Sequence, residues 1–149
     1  MQENLTVLII GNGAREHTIS HAYEKSKHVK RIIVAPGNDF IGYQRKKEVV
    51  IEKECSLNNP ESLLKVAQMY KPDLVDVAQD NALALGTVDL LQANGFSVFG
   101  PEKAAARIEW DKKWSREFMH RHEIPHPAFR YFDNENQAKQ YVEELYREN

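Results

Sequence analysis

The chain has 149 residues, 42% of them hydrophobic and 28% charged, and its formal net charge is −2. These proportions are those of an ordinary globular protein with one domain, or with one domain and part of another, and the charge gives no general attraction to nucleic acid or to an anionic membrane. Cys55 is the only cysteine, which excludes an intrachain disulfide and a cysteine-based zinc site and predicts a reduced, cytoplasmic setting.

The first predicted element is a strand over residues 5–10, whose aliphatic run is typical of a strand buried on both faces of a parallel sheet. It runs into Gly11-Asn12-Gly13, a tight turn that opens a helix. Both glycines can adopt backbone angles that a side chain forbids, and without Cβ atoms they admit a ligand to the main chain. The start of the helix favours an anion. A dinucleotide site would need a third glycine at Glu16 and a carboxylate at the end of the second strand. The pattern therefore disfavours NAD and leaves a phosphate site or a plain turn.

The following segments alternate between strands and helices. The pattern predicts a helix over 14–27, a strand over 31–35, a loop over 36–47, a strand over 48–51, a helix from Pro60 with Asn59 as N-cap, a strand over 74–78, a helix over 82–93 and a strand over 97–99. This alternation indicates an α/β fold, a parallel five-stranded sheet with helices on both faces, whose ligands bind beyond the carboxyl ends of the strands. In the loop, Arg45-Lys46-Lys47 would attract a phosphate or form a solvated run of charge.

The pattern changes after Pro101, so we expect one domain over residues 1–101 and the start of another over 102–149. A helix is predicted over 103–122, a short strand over 129–132, and a last helix from about Asn134 with apolar residues on one face. Trp110, Trp114 and Phe118 are spaced four apart, which favours packing over base stacking.

Four stretches resemble one known family. They are 11–17, 34–38, 95–101, and the helix pattern of 105–109 continued by Lys112, Phe118, His122, Ile124 and Pro125. Together they are similar to the N-terminal part of the phosphoribosylamine–glycine ligase (glycinamide ribonucleotide synthetase) family, over nearly the whole chain. The family usually has glycine where this chain has Ala14, and Gly-Pro-Glu where it has Ala78-Gln79-Asp80.

The resemblance implies a Rossmann-like (pre-ATP-grasp) domain followed by the beginning of an ATP-grasp domain. It implies an ATP-dependent ligase that joins glycine to 5-phosphoribosylamine with ATP and Mg²⁺, and small-molecule partners rather than nucleic acid or membrane. The implied substrate-binding residues are Gly11, Asn12, Gly13, Arg15, Glu16, Pro36, Gly37, Asn38 and Asp80, and the implied nucleotide contact is Lys112. No residue is an obvious acid, base or nucleophile. The family's glycine-rich ATP loop, its Mg²⁺ carboxylates and its remaining ATP-grasp domains are expected beyond Asn149, so the chain alone is expected to be inactive.

Several interpretations stay open on the residues alone. Glu16 would bind an amine or a ribose hydroxyl, or favour the helix start as a first-turn acid. Asp80 would bind substrate or cap the helix that is predicted to begin near Ala82. The whole chain is alternatively the N-terminal domain of another ATP-grasp carboxylase or ligase, or a non-catalytic domain that binds a nucleotide or metabolite.

Overall fold

A computed structural model describes residues 4–148 of the chain. Its Cα positions form two compact units, residues 1–110 and 111–149, which are described separately. The first unit contains β1 (Leu5–Gly11), α1 (Ala14–Lys25), β2 (Val29–Pro36), β3 (Glu48–Ile51), α2 (Pro60–Tyr70), β4 (Leu74–Val77), α3 (Asp80–Ala84), α4 (Thr87–Ala93), β5 (Val98–Phe99) and α5 (Lys103–Trp110). The second contains α6 (Lys112–Arg121) and α7 (Glu135–Glu148). The domain boundary expected after Pro101 precedes α5, whereas the division between the compact units follows it.

The five strands form one parallel sheet in the order β3-β2-β1-β4-β5, which confirms the predicted fold class. β1 lies at the centre, between β2 and β4. Gly11 at the end of β1 pairs with Pro36 at the end of β2, so the two following loops begin side by side. All carboxyl ends therefore meet at one edge of the sheet, where such sheets bind their ligands.

Alternate residues of β1 enter two different cores, which explains its unbroken apolar run. Leu8 and Ile10 lie in a cluster with residues of α2, α3, α4 and α5, whereas Val7 and Ile9 lie in a second cluster against which Ile19 and Tyr23 of α1 pack. All four strand side chains are at most 1% exposed. Burial of an aliphatic side chain of this size contributes roughly 1.5–3 kcal/mol. Helices thus cover both faces of the sheet, as predicted.

Two predicted helices are each interrupted in the structure. The helix expected over 82–93 is instead α3 and α4, separated at Gly86, whose φ of 81° cannot continue a right-handed helix. The helix expected over 103–122 is α5 and α6, separated at Asp111. Asp111 has non-helical backbone angles, and its carboxylate accepts a hydrogen bond from the Trp114 N–H at 3.0 Å. An N-cap inside the run therefore starts a new helix.

In the second unit, the prediction of a strand over 129–132 is wrong, because residues 124–132 are irregular. Side chains of this segment contact helices of the unit instead of forming a ladder: the Lys113 ammonium lies 3.8 Å from the centre of the Tyr131 ring, and Phe132 packs on Tyr141. The last helix begins where it was expected, since the Asn134 carboxamide accepts the Asn136 N–H at 2.8 Å. Within residues 4–148, no helix is long and apolar enough to cross a membrane.

Candidate ligand-binding site

The turn between β1 and α1 depends on a glycine at position 11. Gly11 has a φ of 148°, and a Cβ atom there would lie 2.4 Å from Cγ of Glu16. Gly13 differs, because its φ of −102° and ψ of −166° are open to any residue. A conformation that requires glycine therefore occurs at Gly11 but not at Gly13, where Glu16 Oε2 would lie 3.2 Å from a Cβ atom and limits the space for a side chain.

Glu16 lies beneath this turn rather than on its surface. The residue is only 3% exposed, and its Oε2 accepts a hydrogen bond from the Gly13 N–H at 2.7 Å. A carboxylate in the first turn also favours the positive end of the helix dipole. Of the two interpretations left open by the sequence, the first-turn role describes the contact that Glu16 makes.

The loop after β2 is fastened to the glycine turn by two hydrogen bonds. The Gly37 N–H donates to the Gly11 carbonyl at 3.0 Å, and the Asn38 side-chain amide donates to the Asn12 carbonyl at 2.7 Å. Pro36, which follows a cis peptide bond, directly precedes this contact. The structure therefore brings together both predicted segments, 11–13 and 36–38, at the carboxyl edge of the sheet.

Arg15 and Asp80 form an ion pair above the end of β4. Arg15 Nη1 donates to the Ala78 carbonyl and to Asp80 Oδ1 at 3.1 Å, and it lies 3.5 Å from Glu109 Oε1. The hydrogen bond to Asp80, with the charges of Asp80, Glu109 and Glu16, raises the pKa of Arg15, and burial opposes that effect. Asp80 is not the cap of α3: the Gln79 side chain accepts the Asp80 N–H at 2.9 Å, so the alternative of a capping Asp80 is wrong.

Beside this ion pair lies a cleft of about 730 Å³ at the carboxyl ends of β4 and β5. Its lining comprises Arg15, Ile19, Asp76, Val77, Ala78, Leu83, Val98, Phe99, Gly100, Pro101 and Glu109. The cleft agrees with the expected position of a ligand, beyond the carboxyl ends of the strands.

Asp76 is the residue of this cleft that the sequence analysis missed. Its neighbours in β4, Val75 and Val77, belong to the core beneath α2, whereas Asp76 accepts a hydrogen bond from the Tyr23 hydroxyl of α1 at 2.8 Å. Asp76 is 5% exposed. Burial raises its pKa, the hydrogen bond from Tyr23 opposes that effect, and the Glu16 charge adds to it. The available signal was a carboxylate inside an otherwise apolar strand, since a buried charge is expensive and usually has a purpose.

Two further predictions concern Lys112 and the basic run 45–47. Lys112 is the first residue of α6 in the second unit. In the run Arg45-Lys46-Lys47, the Arg45 side chain is 2% exposed and donates to Ser20 Oγ at 2.8 Å, so both the phosphate and the solvated-charge interpretations are wrong for it. Its partner Glu24 ties the loop to α1. Among residues 4–148, no three histidine, cysteine or acidic side chains gather into a metal site.

The chain matches one protein-family model and is similar to longer proteins of purine biosynthesis. A family model described as "Phosphoribosylglycinamide synthetase, N domain" matches residues 5–109. The phosphoribosylamine–glycine ligase of Methanocella arvoryzae is 39% identical over 142 residues, which cover 94% of this chain and 32% of the relative. The trifunctional purine biosynthetic protein adenosine-3 of Drosophila melanogaster is 37% identical over 136 residues, or 91% of this chain and 10% of the relative. The chain thus spans a third or less of the length of these relatives.

Solved structures share the fold at lower identity. N5-carboxyaminoimidazole synthetase from Staphylococcus aureus, complexed with ADP, gives a TM-score of 0.63 at 15% identity and covers 96% of this chain and 36% of its own. A biotin carboxylase domain of a single-chain bacterial carboxylase gives 0.62 at 16% identity, covering 95% and 34%. At these identities the likeness establishes the fold alone, that of the N-terminal domain of ATP-grasp enzymes.

Proposed function

Because the chain belongs to the phosphoribosylglycinamide synthetase N-domain family, we propose that it is the substrate-binding part of an ATP-dependent ligase. The whole enzyme joins glycine to 5-phosphoribosylamine and gives glycinamide ribonucleotide in purine biosynthesis. Residues 1–101 bind the phosphoribosyl substrate, and residues 102–149 lead into the ATP-grasp domain.

The observation that carries this proposal is the pair of loops joined at the carboxyl edge. The 11–13 turn and the 36–38 loop are held together by the Gly37 and Asn38 hydrogen bonds, directly at the N-terminus of α1, whose first N–H groups have no acceptor within the helix. Such a turn at a helix N-terminus suits a phosphate. We therefore assign the phosphate to the two loops.

The roles of the individual side chains follow from their contacts. Asn38 orients the loops through the Asn12 carbonyl, and Glu16 holds the Gly13 N–H, so both act by shaping the phosphate cradle. Arg15 lines the cleft, and Asp80 is its ion-pair partner. Their side chains are 51% and 40% exposed. Both are therefore assigned to contacts with the rest of the substrate. The chemistry assigned to this domain is positioning, which lowers a barrier by fixing the reacting groups in orientation.

ATP and Mg²⁺ are implied by the family, and ATP-grasp neighbours are solved with ADP or MgADP. The described residues do not by themselves fit that group. No cluster of carboxylates in residues 4–148 suits a metal ion, and Lys112 alone is one point charge, too little to orient a triphosphate. Lys112 is therefore proposed as a single phosphate contact, and no step is assigned to nucleotide chemistry within the described residues.

Ligand-dependent thermal unfolding of the 149-residue chain tests the proposal. Glycinamide ribonucleotide and ribose 5-phosphate are expected to raise the midpoint of unfolding, whereas NAD leaves it unchanged, because binding to the folded state alone stabilises it. Gly13→Val should retain the fold, since the backbone angles at Gly13 admit a side chain, but should weaken binding at least tenfold because the side chain occupies the phosphate space.

Gly42→Ala is the matched control, since a Cβ there meets only ordinary contacts at 3.5 Å or more. It should bind like the unmodified chain. A shift with NAD and none with the two phosphoribosyl compounds would contradict the proposed function.

A further inference from the structure

Asp76 is a buried carboxylate that neither the core nor the phosphate cradle uses. It pairs with Ile9 in the sheet, and the second core cluster on that face consists of apolar side chains. A carboxylate in such surroundings destabilises the fold unless other groups compensate its charge. Its presence in the middle of the α1 face therefore points to a role beyond packing.

Hydrogen bonds offset the charge of the Asp76 carboxylate only in part. Oδ2 accepts the Tyr23 hydroxyl at 2.8 Å, whereas Oδ1 has no hydrogen-bond donor among the residues that the structure describes. An ionised carboxylate has about four acceptor positions, so one neutral hydroxyl leaves most of them free. Burial and the Glu16 charge raise the pKa of Asp76, and the hydrogen bond from Tyr23 opposes them only in part.

Asp76 is 5% exposed and is one of the residues that line the cleft, so a ligand in the cleft would lie against it. Arg15 is the single basic residue of that lining, and its guanidinium already contacts Asp80 and Glu109. Asp76 thus adds a negative charge that no lysine or arginine of the cleft offsets. The complementary group is a hydrogen-bond donor with positive charge, which is an amine.

The position of Asp76 relative to the loops suits a single ligand. Asp76 is opposite Ile9, and Gly11 lies two residues further along β1, about 7 Å in the strand direction. A pentose can bridge such a separation, with its phosphate at the glycine turn and the substituent of its first carbon in the cleft.

We propose that Asp76 binds the amino group of the phosphoribosyl ligand and so makes the cleft selective for amine-bearing sugar phosphates. This inference rests on the proposed function. Asp76 acts as a binding residue through its free oxygen, and Tyr23 acts as a positioning residue that holds the other oxygen.

Calorimetric titration of the whole 149-residue chain tests this assignment with glycinamide ribonucleotide, its N-acetylated derivative and ribose 5-phosphate. The unmodified chain should bind the free amine at least tenfold more tightly than either of the other two. In Asp76→Asn, which keeps the size of the side chain and an acceptor for Tyr23, that preference should fall below threefold while the affinity for ribose 5-phosphate stays unchanged. Asp73→Asn is the matched control, because it makes the same change before the start of β4, where Asp73 Oδ2 accepts the Thr6 N–H at 2.8 Å outside the cleft lining, and it should retain the preference.

The outcomes separate the two levels of the proposal. If the unmodified chain binds ribose 5-phosphate but does not distinguish the free amine from the acetylated one, the role of Asp76 is overturned and the proposed function stands. An Asp76→Asn variant that folds and keeps the full preference overturns it equally. If the variant fails to fold, the comparison of the free and acetylated amines on the unmodified chain still decides. Failure of the unmodified chain to bind any of the three compounds overturns both.

Discussion

Gly11 is the residue at which the candidate site tolerates least change. Its φ of 148° and the position of Glu16, 2.4 Å from a built Cβ, act together. Glu16 cannot move away freely, because it is buried and holds the Gly13 N–H. The turn, the helix start and the buried carboxylate therefore form one interlocked structure.

We expect Gly11→Ala to destabilise the fold by more than about 2 kcal/mol, through strain at positive φ and displacement of a buried side chain. Gly13→Ala should cost less than about 1 kcal/mol, since its backbone angles are permitted and only the end of the Glu16 side chain must shift. Urea unfolding of both variants measures the difference. Equal losses of stability would show that the contact with Glu16 does not limit position 11.

Glu24 gives the loop after β2 a pH-dependent attachment. Its carboxylate is 12% exposed, accepts the Lys46 N–H at 2.6 Å and pairs with Arg45 at 3.4 Å. Burial alone would raise the pKa of Glu24, but the backbone N–H groups of Lys46 and Lys47 and the Arg45 charge outweigh it and lower the pKa.

A lowered pKa means that Glu24 stabilises the fold at pH values above its ordinary pKa and loses this contribution as the pH falls through the lowered one. We expect Glu24→Gln to cost about 2 kcal/mol at pH 7, the size of hydrogen bonds to a charged group. The difference from the unmodified chain should shrink below about pH 4. Denaturant unfolding of both proteins from pH 7 to pH 3 measures it, and a difference that does not change with pH would contradict the assignment.

At the scale of the secondary-structure elements, helix boundaries depend on single capping side chains. α2 begins as expected, since Asn59 Oδ1 accepts the Ser62 N–H at 3.1 Å and Pro60 occupies the first helical position. Asp111 makes the equivalent contact with Trp114 at the start of α6. Each cap satisfies an N–H group that has no acceptor within its helix.

Asn59→Ala is expected to lower the free energy of unfolding by about 1 kcal/mol, because it removes this N-cap. Asn59→Asp keeps an acceptor at the same position and should lose much less stability. Chemical denaturation, followed by circular dichroism, compares the two variants. If both lose the same stability, the side chain does not cap α2.

Taken as a whole, the chain matches only part of the length of its relatives. It covers 32% of the Methanocella arvoryzae ligase and 36% of the solved N5-carboxyaminoimidazole synthetase chain. Its first unit provides a complete sheet edge with two loops and a cleft. We propose that this edge positions the substrate, and no residue of the described chain is assigned to the reaction itself.

We therefore expect the purified 149-residue chain to release no ADP from ATP in the presence of glycine and phosphoribosylamine. The physical reason is that one lysine does not hold and orient a triphosphate with its metal ion. A coupled ADP assay measures turnover, with the full-length ligase of Methanocella arvoryzae as the positive control. Turnover by the chain alone would show that its residues do chemistry that we have not assigned to them.

Features that depend on residues close together in the chain were predictable from the sequence. The apolar run before Gly11 predicted a strand buried on both faces, and Asn59-Pro60 predicted the start of α2. The alternation of strands and helices predicted the parallel sheet, and the resemblance identified the family that the family model also matches. These signals are local: a capping residue acts within one helical turn, and burial of both strand faces produces a nearly continuous apolar run.

The contacts between polar groups that are distant in the chain were not predictable from the sequence. Asp80 pairs with Arg15 instead of capping α3, and Arg45 is buried against α1 instead of being solvated. The pairing of Asp76 with Tyr23 joins residues 53 positions apart. The sequence does not show whether a charged side chain lies in water or in a cleft. Its role depends on which partners the folded chain brings within a few ångströms, where removal from water makes each unpaired group costly.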